Sequence, residues 1–342
     1  MPHITGGSGQ QLNMGRDLAR LTQACLLLML VWLAGCQPAP QAPLKVGMNA
    51  WVGYDPLALA RDKGLLDARQ VKVIELPSSA ETLRNFRNGL LDAAALTLDE
   101  TLRLADEGAD IRIVAVLSGS AGADLVLAGL SVTNPRDLRG KTIAVEGSAV
   151  GALVLKRLLQ AGQLQQSDVV VSRLEAFQHL AALRSGRVDA AVSYEPLAGA
   201  LRAAGYHPIF DSRAMPGDIM DVLVVRAQTL AARPEQVAAL VAGWQRGLWT
   251  LQEQPEASAR LLAPEVDLTV DAYLATLKGL RFFTARQSVD LLSGHPKRLG
   301  QQAESLARTL QAMGVIRDTP HWEHLLVADV GERLLTSAEV LP

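Results

Sequence analysis

"NGLLDAAALT" (Asn88–Thr97) and "SGRVDAAVSY" (Ser185–Tyr194) place a glycine, two residues and Asp-Ala-Ala in the same order. Each follows a Leu-containing stretch ending in arginine, Leu83–Arg87 and Leu180–Arg184. The offset is constant: 189 − 92 = 97 and 186 − 89 = 97. Reading upstream of the first copy gives a short strand "LKVGMNA" and a helix "PLALARDKGLLD" with Pro in its first turn and Gly64 as a stop. An alternating strand "QVKVIEL" follows, then a helix "SAETLRNFRNG" that Ser78 or Ser79 can cap and Gly89 ends. Upstream of the second copy the same order returns in "KTIAVE", "SAVGALVLKRLLQAG", "DVVVSRL" and "AFQHLAALRSG". The chain thus repeats a whole supersecondary block. Short strands separated by helices predict a parallel sheet in each of two similar α/β lobes.

Downstream of the first copy, "LDETLRLADEG" predicts a helix and "IRIVAVL" a strand. "DLVLAG" (Asp124–Gly129) and "IMDVLVVRA" (Ile219–Ala227) are further strands, and from Arg233 the chain reads as almost all helix. Connections between the lobes are expected near Asp124–Ser131 and Gly217–Val225. The first lobe then comprises 44–128 and 218–342, including the C-terminal helices, and the second 129–217.

The N-terminus has a different character. Arg16 and Arg20 precede an apolar run, Cys25–Ala34, that closes on Leu33-Ala34-Gly35-Cys36. This is the pattern of a secretory signal (1–35), and its small-residue ending on cysteine resembles a bacterial lipobox. Cys36 is then the first mature residue and the lipidation site, and "QPAPQAP" makes 36–43 a tether. Met14 reads as a better start for this pattern than Met1. The only other cysteine, Cys25, leaves with the signal, so neither a disulfide nor a cysteine metal site is expected. A formal net charge of −2 gives no footing for nucleic acid. No apolar run is long enough to span a bilayer. The expectation is a lipid-anchored monomer on the periplasmic side of a bacterial membrane.

The ordered set "WVGYDPLALARDKGLL", "LRNFRNGLLDAAALT", "SGSAGADLVLA", "NPRDLRGKTIAVEGSAVG" and "LRSGRVDAAVSYEP" resembles the periplasmic binding proteins of ABC importers for nitrate, sulfonates, taurine and thiamine-precursor pyrimidines. The resemblance covers nearly all of the mature chain to about Val225. It implies a type II periplasmic binding protein fold: two α/β lobes, a hinge and a helical tail. It also implies capture of a small polar molecule and delivery to a membrane permease. Some such proteins signal to a membrane receptor instead. Others make the thiamine pyrimidine with His- and Cys-rich segments, which this mature chain lacks.

In open α/β sheets ligands sit beyond the carboxyl ends of the strands. That rule nominates Trp51, Tyr54, Thr97, Ser118, Asp124, Glu146, Ser148, Tyr194, Glu195 and, on the returning strand, Asp221. Trp51 and Tyr54 can line the ligand or pack as core. Ser148 can cap its helix, and the helix N-terminus there favours an anion. Asp92 and Asp189 read as structural, bonding backbone at the helix-to-strand turn. No Arg or Lys falls among the nominated stretches, whereas a sulfonate or nitrate would gain from a guanidinium fork. The carboxylates suit an amine or a protonated pyrimidine. His179 reads as a packed or surface residue, and "HWEH" (His321–His324) has no third ligand beside it for a metal. Trp244 and Trp249 read as core or inter-lobe packing. No catalytic residues and no cofactor are expected.

Overall fold

The computed structural model describes residues 41–336, with His3, Thr22 and Gln23 besides. The signal segment, Cys36 and the tether as far as Pro40 lie outside the described residues, those three apart. In chain order the strands are β1 (Leu44–Asn49), β2 (Val71–Leu76), β3 (Ala93–Thr97), β4 (Ile111–Ser120), β5 (Asp124–Ala128), β6 (Thr142–Val145), β7 (Val170–Arg173), β8 (Ala190–Tyr194), β9 (His207–Asp211), β10 (Met220–Arg226) and β11 (Leu280–Phe282). Helices α1 (Asp55–Asp62), α2 (Ser79–Arg87), α3 (Leu98–Asp106), α4 (Ala149–Gly162), α5 (His179–Arg184), α6 (Leu197–Ala203), α7 (Ala227–Ala232) and α8 (Pro234–Glu253) connect them, and shorter helices continue to Thr336.

The strands form two sheets, one per lobe, ordered β11-β4-β10-β3-β1-β2 and β7-β6-β8-β5-β9. β1, β2 and β3 run parallel, as do β6, β7 and β8. The expectation of purely parallel sheets needs correction, because β10 is antiparallel to β3 and β4, and β5 is antiparallel to β8 and β9. The cause is topological. A chain leaving one lobe at its cleft end must enter the other sheet from that sheet's cleft end, against the strands that finish there. For the same reason the lobe boundary shifts. β5, placed by sequence before residue 129 in the first lobe, is hydrogen-bonded into the second sheet, so the chain crosses over residues 121–123. It returns between Asp211 and Met220. β9, α6 and β11 escaped the sequence reading, and β11 is a short strand within a tail that is otherwise almost all helix, as expected.

The repeat has a structural meaning down to single atoms. Gly89 (φ +77°) and Gly186 (φ +68°) both take the left-handed conformation that ends a helix. Three residues later the aspartate reaches across to the neighbouring strand. Asp92 Oδ2 accepts the N–H of Lys45, and Asp189 Oδ2 that of Thr142, both at 2.8 Å. These partners keep the same spacing, 142 − 45 = 97. Each aspartate also donates its own N–H to the carbonyl of that partner, at 2.9 and 2.8 Å. The Gly-x-x-Asp word therefore stops a helix and locks the next strand in register against the first.

α8 packs on α1, and Gly247 makes the close approach possible: a Cβ there would lie 1.8 Å from the Pro56 carbonyl oxygen. Trp244 on α8 is buried with its ring centroid 6.4 Å from that of Phe282. Trp249, expected to be packed, is instead 42% exposed, because it falls on the opposite face of the helix. His179 is buried and its Nε2 meets the Leu174 carbonyl at 3.2 Å. Burial lowers its pKa to about 4, which keeps the ring neutral.

Candidate ligand cleft

The carboxyl ends of the parallel strands in both sheets face one another across a cleft. The first lobe supplies Asn49, Trp51, Tyr54, Ser79, Thr97, Glu100, Ile219 and Asp221, and the second Asp124, Val150 and Tyr194. The space they enclose, counted out to solvent, is about 310 Å³. Six of the ten nominated residues line it: Trp51, Tyr54, Thr97, Asp124, Tyr194 and Asp221.

The other four lie nearby and bond elsewhere, although Glu146 Oε2 and Glu195 Oε2 are, like Asp124 Oδ2, buried without a donor. Ser118 donates to Asp221. Ser148 accepts the N–H of Gly151 at 3.1 Å and so caps α4. Glu146, at the end of β6, reaches over to the first lobe, where its Oε1 accepts the N–H of Ala80 at 3.5 Å. Glu195 turns from the cleft lining to pair with Arg202.

The polar groups are organised around carboxylates. Asp221 is fully buried and accepts from three side chains: Trp51 Nε1 at 2.9 Å, the Tyr54 hydroxyl at 3.2 Å and Ser118. Both readings of the aromatic loop therefore hold, since Trp51 and Tyr54 are buried and also form the cleft wall. Glu100 accepts from Ser79 and from the N–H of Thr97, the latter at 3.2 Å. Asp124 is 6% exposed; its own N–H is bonded to Ser120 at 3.2 Å, but its Oδ2 meets no donor.

Burial sets the charge states. It pushes Asp124 up to about 7, a push that the Ser120 bond opposes and nearby Asp221, Glu100 and Glu195 reinforce. Asp221 rises only to about 6, because the donors from Ser118, Trp51 and Tyr54 offset its desolvation. Glu146 rises to about 7 through burial and the neighbouring Glu100. Glu100 and Asp99 are raised chiefly by burial as well. The lining contains no Arg, Lys, His or Cys. Arginines lie instead in a separate groove beside the crossing segments, where Arg213 is paired with Asp211 and Arg281 stands 5.1 Å over the Phe283 ring. Among the described residues no group of three or more His, Cys, Asp or Glu side chains is placed to hold a metal ion.

The sequence reading missed Ser79, Glu100, Val150 and Ile219. Glu100 was legible in "TLDE" (Thr97–Glu100), where a Thr-x-x-Glu spacing marks a helix start and sends the glutamate back over the N-cap. Ser79 occupies the first turn of α2. Val150 and Ile219 carry no polar signal to find them by.

Two lobes, two strand crossings and a shared cleft define the type II periplasmic binding protein fold. The chain belongs to the NMT1-like family, whose model matches residues 37–263. It is 26% identical over 188 residues to a protein of Escherichia coli (strain K12) named as an aliphatic sulfonates-binding protein; the match covers 53% of this chain and 58% of that one. The chain thus spans under two thirds of that relative. The crystal structure of the periplasmic aliphatic sulphonate binding protein SsuA from Escherichia coli superposes with a TM-score of 0.69 at 17% identity, over 84% of this chain and 92% of that chain. The desulfurization enzyme DSZB shares the fold too, with a TM-score of 0.64 at 19% identity over 86% and 98%. The fold therefore hosts both capture and catalysis, and the site must decide between them.

Proposed function

We propose that this protein is an extracytoplasmic solute-binding protein that captures a small polar molecule between its lobes and hands it to an ABC importer. The observation that carries this reading is the shared cleft, whose walls come from both lobes and meet at the two crossings. A ligand touching Trp51, Tyr54, Thr97 and Asp221 on one side and Asp124 and Tyr194 on the other favours the closed arrangement by its contacts to both. The permease then reads closure. Ser118, Glu146, Ser148 and Glu195 stand beside the lining. Catalysis is disfavoured because the lining offers hydroxyls and carboxylates but no His or Cys to form a nucleophile–base pair.

The chain is placed on the periplasmic side of the membrane by lipid on Cys36 once residues 1–35 are removed. Among the described residues no helix is long and apolar enough to cross a membrane. Mass spectrometry of the membrane-extracted protein tests the anchor: a diacylglyceryl group is expected on Cys36, and an unmodified Cys36 overturns it.

Capture is tested by small-angle scattering of the full chain with and without each member of a panel of small amines, amidines, aminopyrimidines, alkyl sulfonates and nitrate. A ligand that reduces the radius of gyration and raises Tm is expected. A protein that chemically converts a panel member, or that binds one without compaction, overturns the reading.

A further inference from the structure

Two aspartates enter the cleft from equivalent positions. Asp221 on β10 stands opposite Thr97 of β3, and Asp124 on β5 stands opposite Tyr194 of β8. Thr97 and Tyr194 are themselves repeat mates, 194 − 97 = 97 residues apart. The two carboxylates are therefore pseudo-symmetric partners, one per sheet, yet their surroundings differ. Asp221 takes donors from Trp51, Tyr54 and Ser118. In the second lobe the positions that repeat Trp51 and Tyr54 are Ser148 and Gly151, and these bond each other. Asp124 Oδ2 is left without a donor in a residue that is 94% buried (100 − 6) and faces the cleft.

We propose that the cleft is selective for a small organic cation carrying N–H donors, a protonated amine or amidine, with Asp124 as its counter-ion. The inference rests on reading the cleft as the capture site and names the ligand class for it. Leaving a buried carboxylate oxygen unpaired is costly, and a charge-assisted hydrogen bond from a bound cation recovers that cost. The lining carries Glu100, Asp124 and Asp221 with no basic side chain, so an anion would enter against like charge.

The usual refuge of an anion, a helix N-terminus, is partly taken up by the chain's own oxygens. At the start of α2 the Ala80 N–H points to Glu146 and the Glu81 N–H to Ser78. At the start of α4 the Gly151 N–H points to Ser148. Those three N–H groups are therefore not offered to a sulfonate or nitrate. A metal ion is not the cation, since the acids are spread around the walls and do not converge. The walls also carry aromatic rings from both lobes: Trp51 and Tyr194 stand edge to face, with centroids 5.9 Å apart at 82°.

The test is calorimetric titration of the full chain at about pH 8, where a carboxyl of raised pKa is ionised. Ethylammonium, acetamidinium, ethanesulfonate and nitrate serve as probes. Binding of ethylammonium or acetamidinium is expected, without binding of ethanesulfonate or nitrate. Asp124→Asn is expected to weaken cation binding at least about tenfold, roughly 1.4 kcal/mol. Glu235→Gln, on the exposed face of α8, removes the same charge and is expected to leave affinity unchanged. Thermal unfolding of both variants checks that they remain folded. Binding of ethanesulfonate or nitrate that survives or improves in Asp124→Asn overturns the cation class while leaving capture intact. Equal weakening by Glu235→Gln also overturns it, since net charge would then be the cause. A chain that binds no probe of either sign at millimolar concentration overturns the proposal together with the capture reading.

Discussion

At the cleft end of β1 the first lobe carries Asn49, Trp51 and Tyr54; ninety-seven residues on (146 − 49 = 97), at the cleft end of β6, the second carries Glu146, Ser148 and Gly151. The backbone plan is the same up to that point: parallel β1, β2 and β3 match β6, β7 and β8, and in each sheet a strand arriving from the other lobe lies antiparallel beside them. The difference lies in what each loop does for the aspartate across from it. Two aromatic donors and Ser118 hold Asp221 in place before any ligand arrives. Small residues in the second lobe close on their own helix and leave Asp124 unspent. An internal repeat can thus keep its scaffold and divide labour at its loops. Under the proposed capture, one lobe would present a preorganised wall and the other a charge that closure brings against it.

Removing each aspartate in turn breaks or sharpens this comparison most directly. Asp221→Ala strips the acceptor from Trp51, Tyr54 and Ser118 and leaves buried donors unpaired. A loss of about 3 kcal/mol or more is expected, given the cost of each unsatisfied buried group. Asp124→Asn removes a carboxyl whose charge burial already penalises, so its unfolding free energy should be within about 0.5 kcal/mol of the parent or higher. Urea denaturation of both variants without ligand measures the contrast. Equal losses at the two positions would mean that Asp124 has a structural partner and that the lobes are not differentiated in this way.

The pH dependence of stability probes the same asymmetry. Asp55, Asp124 and Glu146 are pushed up to about 7 and Asp221 to about 6, in each case mainly by burial. Carboxyls in the unfolded chain lose their protons near pH 4. Between those values the folded state binds more protons, so stability falls as pH rises from about 4 through about 7. His179, held down to about 4 by burial, works the other way: its contribution is complete above about 6.5 and is lost on acidification. A single carboxyl supplies at most about 1.4 kcal/mol per pH unit. The ligand-free chain is expected to melt higher at about pH 5.5 than at about pH 7.5, with Asp124→Asn flattening the difference. A Tm that climbs over this range would contradict the burial of these acids.

Much of this organisation was legible in the sequence, for a physical reason. Gly89 and Gly186 must supply positive φ and Asp92 and Asp189 must anchor a strand, so selection for the scaffold writes the same word twice. The strand-end rule nominated Trp51, Tyr54, Thr97, Asp124, Tyr194 and Asp221, which line one pocket, because it depends only on where strands stop. The direction of β5 and β10 was hidden, since a strand's residues do not record which lobe it pairs in. Glu195 was misplaced for a related reason: its partner Arg202 lies one helix on, and strand-end position says nothing of which way a side chain turns. Glu100 and Ser79 belong to helix starts, where a polar residue has a capping use that masks any second role.

The repeated glycines give a smaller effect, and one that should be equal in the two lobes. A Cβ at Gly89 or Gly186 would meet nothing within 4 Å, so the penalty comes from φ alone. Valine at either position is expected to cost about 1–2 kcal/mol, the price of a left-handed conformation for a side-chain-bearing residue. Denaturant midpoints of Gly89→Val and Gly186→Val compare them, and a cost in one lobe only would show that the helix ends are not equivalent.

The smallest effect isolates the strand lock. Asp92→Ala and Asp189→Ala each remove one acceptor, from the N–H of Lys45 and of Thr142. Both aspartates are partly exposed and each also meets one basic side chain, Arg233 at 3.2 Å for Asp92 and Lys141 at 3.3 Å for Asp189. Water can replace part of what is lost, and ion pairs at such positions are worth little. About 1 kcal/mol is expected at each site, the ordinary value of one hydrogen bond. Amide hydrogen exchange separates the lock from bulk stability: the Lys45 N–H should lose protection selectively in Asp92→Ala and the Thr142 N–H in Asp189→Ala. Unchanged protection at both amides would leave the repeated aspartate without the strand-locking role, and the repeat would then rest on its glycines alone.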